Sequence, residues 1–546
     1  WPILHSCLVL NWVLCSRCHA GPVPRNDAHS LRISVMFIDA EQLTHYQRCH
    51  RRAYLDVYGD PSQRDAPNEY LMKLIQDSQA HQQRFIEQQP VYQPRYPQGD
   101  WQAAAAATIA LMQQGVEQIF QGVLLVPGPQ GVMLKSKPDL LVRQSGHSDF
   151  GDWLYVPMEI KLGKRPKAEY QVATAFHTFV TAQVQGAWPE EAWLLLREGK
   201  TFAVDLWDLL PRMQEILDGC IQTLVEQLEP DVFITRSRCS LCPWLTQCHT
   251  LAKADQHLSL LPGVTPSRYV QLQTLNLTTV RSLADLNPLA IETLPGFGKD
   301  TAYKLVRQAQ STLHNQAIFI EEAAFAPPSQ PTFKHRGGLS SHYPHTLLAE
   351  LDIPTAPIEL YFDIEAEPSL NLAYLHGVVV VDRVANTQRF YPLLAEHPDD
   401  EIVVWRQFLD LAAQYPTAPI FHFCPYEAQT VERLAKLYGS FSHRIDPLLN
   451  RFVDLHDRIT RTVTLPVESY ALKPIARWLG FDWRDPAANG AQSICWYSQW
   501  LTTRDRTYID SILTYNEDDC RATHRVKDWL VGFLMETAAI GAVERA

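Results

Sequence analysis

Residues 358–367 read IELYFDIEAE. The run is rich in strand-favouring side chains, and Asp363 and Glu365 stand two apart within it, so a strand turns both carboxylates to one face. Two carboxylates side by side repel unless a cation lies between them. The other half of the pattern lies far down the chain, in YNEDDCRATHRV (515–526), where Tyr515 and Asp519 share one side of a helix at i, i+4. Between these segments, APIFHFCPYEAQTVERLA (418–435) reads as a strand running into a helix with Glu427 at its start, and FVDLHDRI (452–459) supplies Asp454. Asp363, Glu365, Glu427 and Asp519 together form a four-acid cage of hard oxygens suited to two Mg²⁺ or Mn²⁺ ions, with Asp454 as a competing ligand. A solvated helix face accounts for Glu517, Asp518 and Asp519 taken alone, but not for the whole set.

The order FDIE, Glu427, then Y-x3-D closely resembles the DEDDy 3′–5′ exonucleases of the RNase H-like superfamily. The stretch ESYALKPIARWLGF (468–481) is similar to the helix between their second and third motifs. The resemblance implies an RNase H-like α/β domain over 355–546, with Tyr515 orienting the attacking water. The middle motif departs from the pattern: those domains place an Asp after Phe or Tyr, and here Tyr426 precedes Glu427.

A second acidic set lies upstream. GVMLKSKPDLLVR (131–143) and WLYVPMEIKLG (153–163) both read as strands. Glu159 and Lys161 leave the same face of the latter, and pairing can bring Asp139 beside them. Two carboxylates with a lysine suit a divalent cation and a water aimed at a phosphodiester. On its own, D…ExK is weak, because any exposed strand can carry it. His81 lies in the preceding helix QDSQAHQQRFIEQ, and Gln171 follows in AEYQVATAFHTF. A helical His, an Asp, ExK and a Gln-bearing helix, in that order, resemble the RecB-like nucleases of the PD-(D/E)xK superfamily. The resemblance implies His81, Asp139 and Glu159 as metal ligands, with Lys161 and Gln171 catalytic. Ala175 stands where those enzymes usually carry a Tyr.

RCSLCPWLTQC (238–248) gives C-x2-C-x5-C, and Cys49 adds a fourth thiol from near the domain start. Cys49, Cys239, Cys242 and Cys248 can hold a 4Fe-4S cluster or a Zn²⁺. One-plus-three spacing across a nuclease domain resembles the iron-sulfur RecB-like nucleases, with the cluster stapling the domain's ends. A rival zinc ribbon pairs Cys15 and Cys18 with Cys239 and Cys242. From 258 to 312, two Gly-punctuated helical units, SLLPGVTPSRYV and TLPGFGKDTAYKL, resemble tandem helix-hairpin-helix modules. That resemblance points to Gly296, Gly298 and Lys299 as a sequence-independent phosphate contact.

Length and composition set the frame. A chain of 546 residues exceeds one core, and 46% apolar with 20% charged residues is an ordinary globular balance. A formal charge of −12 excludes a basic nucleic-acid coat protein, but not an acidic-site enzyme with local basic patches such as His50–Arg52 and Lys161–Lys167. No Walker A spacing supports an ATPase. The expected organisation is an α/β multidomain chain: a doubtful leader (1–35), a RecB-like, restriction-endonuclease-like domain (36–256), helix-hairpin-helix repeats (257–315), a linker (316–354) and the exonuclease domain (355–546). The expected activity is metal-dependent hydrolysis of DNA, single-stranded or end-bearing, by a cytoplasmic protein with no membrane partner. Two alternatives stand beside it: a nucleic-acid-binding scaffold with inactive sites, and a zinc-stapled enzyme that processes RNA.

Overall fold

Where the strand text GVMLKSKPDLLVR meets Pro138, it breaks. Proline offers no N–H to a ladder, and the segment becomes two strands in two different sheets. The computed structural model describes residues 35–320, 353–439 and 442–543. Readings that fall on the leader, on Cys15 and Cys18, and on most of the linker lie outside the described residues.

In chain order the N-terminal part runs β1 (Phe37–Asp39), α1 (Ala40–Arg48), α2 (His50–Tyr58), α3 (Glu69–Ile86), α4 (Trp101–Gln113), β2 (Gln118–Phe120), β3 (Leu124–Pro127) and β4 (Met133–Ser136). It continues through β5 (Leu140–Ser148), β6 (Gly151–Ile160), α5 (Ala168–Gln185), β7 (Ala192–Leu195), β8 (Thr201–Val204) and α6 (Leu206–Val225). Strands β1, β4 and β3 form a small sheet; the main sheet has the order β2-β5-β6-β7-β8. Within it β5 and β6 are antiparallel, whereas β6 and β7 are parallel. A parallel pair needs a crossover, and α5 supplies it, burying Val172, Phe176 and Val180 in the core. The break at Pro138 therefore sets Asp139 at the opening of β5, one strand away from Glu159.

Helix α7 (Leu245–Ala254) leads into α8 (Pro266–Gln273), α9 (Val280–Ala284) and α10 (Lys299–His314), which share a separate apolar cluster. Gly263, Gly296 and Gly298 take φ of +89°, +82° and +80°, a region that disfavours side chains. Arg268 ties the first two turns together, donating to the carbonyls of Gly263 at 2.7 Å and Gly296 at 2.9 Å. One boundary differs from expectation. Ile318–Phe319 (β9), read as the start of the linker, pairs with β15 (Val463–Thr464) and so joins the C-terminal module. Two β-branched or aromatic residues beside an open strand edge gain a ladder there that composition alone does not reveal.

The C-terminal module contains β10 (Ile358–Glu367), β11 (Leu372–Asp382), β12 (Thr387–Leu394), α11 (Glu401–Gln414), β13 (Ile420–His422), α12 (Tyr426–Leu437), β14 (Phe452–Asp454) and α13 (Leu455–Thr462). After β15 come α14 (Leu472–Trp478), α15 (Gly490–Thr503) and the long α16 (Arg506–Val543). Its sheet order is β12-β11-β10-β13-β14, with antiparallel pairing on one side of β10 and parallel pairing on the other. Both faces of β10 are covered. Leu360, Phe362 and Ile364 pack with Phe408 of α11, while Tyr361 packs on the opposite side with Cys520 of α16. Alternation thus turns Asp363 and Glu365 under α16. No helix among the described residues is long and apolar enough to cross a membrane.

Candidate active sites

Ligand atoms of Asp363, Glu365 and Asp519 lie within 4.8 Å of one another. Each carboxylate is held. Asn516 Nδ2 donates to Asp363 Oδ2 at 2.7 Å, Ser493 bonds to Glu365, and Asp519 takes hydrogen bonds from Tyr515 and from Trp483 Nε1, the latter at 2.7 Å. Burial, then the charge of Asp519, pushes Glu365 up to about 8. Burial raises Asp519 to about 6, and burial plus its acidic neighbours holds Asp363 well above the usual carboxylate range. Glu427 is buried and raised by desolvation; its charge acts on both Asp363 and Glu365. His422 lies 3.4 Å from Glu427 Oε2, yet that oxygen has no hydrogen-bond partner. Among the described residues only Asp363, Glu365 and Asp519 bring ligand atoms within 4.8 Å of one another, a set of hard oxygens that fits a divalent cation, and Glu427 lies outside it.

Asp454 does not join this cage. Its Oδ1 accepts from the backbone N–H groups of Cys424, His456 and Asp457 at 3.0, 2.9 and 3.3 Å, which makes it the N-cap of α13. Glu427, at the start of α12, acts on Asp363 and Glu365 through its charge, and the chain reaches it through Cys424, whose φ is +77°.

Lys473, inside the quoted 468–481 stretch, went unnoticed in the sequence. Its ammonium sits 4.9 Å from the Tyr515 ring centre and 5.1 Å from that of Trp483, and the charges of Asp519 and Glu365 act on it. Burial lowers its pKa. Asn516, Ser493 and Trp483 were also missed. A small amide beside Tyr515 was the one available hint, since the others approach from segments with no spacing relation to the acids.

In the N-terminal module the structure brings Asp139, Glu159 and Lys161 together. Lys161 Nζ pairs with Glu159 Oε2 and lies 3.5 Å from Asp139 Oδ2. Backbone amides lock the acids to each other: Asp139 N–H donates to Glu159 Oε1 at 3.1 Å, and Ile160 N–H to Asp139 Oδ2 at 2.7 Å. Burial and the adjacent Glu159 charge push Asp139 up to about 6. Burial alone would lower Lys161, but the two acids outweigh it and its pKa rises.

Two helical residues differ from expectation. Gln82, not His81, bonds to Asp139, at 2.9 Å; adjacent helical positions point about 100° apart. The histidine on the acids is His177 of α5, 3.4 Å from Glu159 Oε1, with Ser136 on its other ring nitrogen at 2.8 Å. Burial and Lys161 lower it to about 3, so it stays neutral. Gln171 donates to the Pro166 carbonyl at 2.9 Å, away from the acids, while Tyr170, Ala173 and His177 on the same helix line the cavity above them. That cavity measures about 1730 Å³ and carries Arg48, Arg52, Lys135, Lys137, Lys164, Lys167 and Arg197. Arg51, expected in a basic patch, is instead buried against Glu229 at 2.7 Å and the Pro230 carbonyl at 2.7 Å.

Cys49, Cys239, Cys242 and Cys248 line one small cavity together with Arg51, Arg52 and Arg238. Cys49 joins α1 to α2, and Arg238 reaches back to the Arg48 carbonyl at 3.1 Å. Sulfurs around a tetrahedral zinc sit about 3.8 Å apart. Among the described residues only the Asp363 set gathers three ligand atoms within 4.8 Å of one another, so no three of the thiols do. Thr235 and Trp244 N–H groups point at Cys239 and Cys242 sulfur. Burial lifts the Cys242 thiol to about 11.

At the helical units, Gly298 does not offer its N–H outward; it donates to the Glu292 carbonyl at 3.0 Å. Gly296 and Gly298 face open space, and Lys299 is exposed at the start of α10.

A five-stranded mixed sheet with a buried acidic trio beneath its C-terminal helix defines a nuclease-type, RNase H-like module. Accordingly, residues 360–531 match the family described as RNase_H superfamily. No curated protein matches the chain.

Proposed function

We propose that the chain is a metal-dependent nuclease acting on DNA, with a DEDDy-type 3′–5′ exonuclease site in its C-terminal module and a RecB-like site in its N-terminal one. The convergence of Asp363, Glu365 and Asp519 carries the reading. A divalent ion, when bound there, supplies charge neutralisation and an acidified water. The chain does the rest. Asn516 and Trp483 fix two of the carboxylates, and Glu427 offers a further oxygen. Tyr515, whose pKa is raised by burial and by Asp519, keeps its proton and orients a water by hydrogen bonding. Lys473 brings a positive charge toward the phosphate.

In the N-terminal module, Asp139 and Glu159 would hold the metal, and Lys161 would orient the attacking water. The four cysteines fit a structural 4Fe-4S cluster, since they are soft donors lining one cavity with N–H groups aimed at sulfur. Such a cluster would clamp α1 and α2 to the 238–248 segment. The glycine turns of the helical units would lie along the DNA backbone, with Lys299 and the first turn of α10 facing phosphate.

Single Lys161→Ala and Asp519→Asn variants, assayed with Mn²⁺ on end-labelled single-stranded DNA, duplex DNA and RNA, divide activity between the modules. Each is expected to remove one component of DNA hydrolysis. If the wild type degrades none of these substrates, a nucleic-acid-binding scaffold replaces the nuclease; if it degrades RNA alone, RNA processing does.

A further inference from the structure

The cavity over Asp139, Glu159 and Lys161 is not built by its own module alone. Part of the wall is the turn Glu367, Pro368 and Ser369 at the end of β10, with Ile494 of α15 beside it. This wall is fastened in place. Gln492 of α15 donates to Glu69 at 2.5 Å. Lys73 Nζ lies 2.8 Å from Asp77 and 3.9 Å from Glu367 Oε2. Glu69, Lys73 and Asp77 all belong to α3, the helix whose Gln82 holds Asp139. The Glu367 carboxylate is buried and closes its own turn by accepting from Ser369 N–H at 2.9 Å. Ser369 itself is exposed on the cavity rim. The same cavity is lined by Lys137, Lys164 and Lys167.

We propose that the Glu367–Ser369 turn is a substrate-contacting wall of the N-terminal site, which binds a nucleic-acid strand in a composite groove made by both modules. The inference builds on the nucleic-acid reading of that site. A strand held in this cavity by Lys137, Lys164 and Lys167 passes Ser369 on the rim, which brings its phosphates close to residue 369. Charge placed at 369 then acts on the strand with opposite sign for opposite substitutions, which a purely structural residue would not show.

The test uses the full chain, without divalent metal, and a fluorescein-labelled oligodeoxythymidine followed by anisotropy. Ser369→Glu and Ser369→Lys form one pair. Val384→Glu and Val384→Lys form the control pair, on a hairpin of the same module that is 83% exposed and outside the cavity. The Ser369 pair is expected to differ in Kd by about tenfold or more, the lysine binding tighter, and the Val384 pair by less than about twofold. An equal spread for the two pairs overturns the proposal. The hydrolytic reading is judged separately. If the Asp519→Asn protein with Mn²⁺ shows no cleavage that Lys161→Ala removes, N-terminal catalysis falls, while the anisotropy comparison still decides the wall.

Discussion

Asn516 reaches Asp363 across a gap that only glycine leaves open. Its amide donates to Asp363 Oδ2 at 2.7 Å, and the residue paired with Asp363 on the neighbouring strand is Gly377. A Cβ at Gly377 would fall 1.6 Å from Asn516 Oδ1. The geometry of the acidic trio therefore depends on a residue with no side chain, on a strand that carries none of the acids.

Gly377→Ala should destabilise the C-terminal module by about 1–3 kcal/mol through overpacking. In an Asn516→Ala background the 1.6 Å clash is gone and the Phe390 ring edge at 3.1 Å remains, so the same substitution should cost less. Urea midpoints of the four proteins close the cycle. An identical penalty in both backgrounds would show that Asn516 is not what the new methyl meets.

Metal binding at the trio should release protons. Burial and neighbouring charge push Glu365 up to about 8 and Asp519 to about 6, so a divalent cation that binds the carboxylates must displace protons from them. Apparent Mn²⁺ affinity should rise from pH 5.5 to 8.5, with net proton release in calorimetry repeated in buffers of different ionisation enthalpy. Asp519→Asn should weaken binding by at least about tenfold. Flat affinity across that range would contradict the geometry.

Acid lability should trace in part to His376, which is fully buried with neither ring nitrogen hydrogen-bonded. Burial lowers it from 6.5 to about 3. The unfolded chain therefore binds a proton between these values that the folded chain refuses. The histidine's contribution is intact above pH 6.5 and is lost as pH falls toward 3. Relative to His376→Leu, the wild-type denaturation midpoint should drop as pH goes from 6.5 to 4; parallel curves would refute the assignment.

If the four thiols hold the proposed cluster, Cys49→Ser and Cys248→Ser should each abolish it, although these residues lie at opposite ends of the module's sequence. Anaerobically purified wild type should be brown and contain iron, and each variant should be colourless. Zinc without iron in the wild type would assign the four thiols to a different metal.

Much of the chemistry was legible in the linear text, because regular elements impose regular spacing. Asp363 and Glu365 two apart on a strand, Tyr515 and Asp519 a turn apart on a helix, and Glu159 beside Lys161 all follow from periods of 2 and 3.6. Contacts made through helical phase or across space were not. His81 and Gln82 are adjacent, and which of them meets Asp139 depends on how α3 is rotated against the sheet. Asp454 and Glu427 are both acids near strand ends, and backbone amides captured the former as a cap.

By itself, then, the sequence determined that this chain carries two acidic centres and a four-thiol set, and that its C-terminal part alternates as an RNase H-like sheet demands. Tertiary structure alone decided which partners hold each acid, that Gly377 clears the path for Asn516, and that one module walls the cavity of the other. The difference is physical: local periodicity is fixed by backbone geometry along the chain, whereas side-chain partners are chosen by packing between segments tens to hundreds of residues apart.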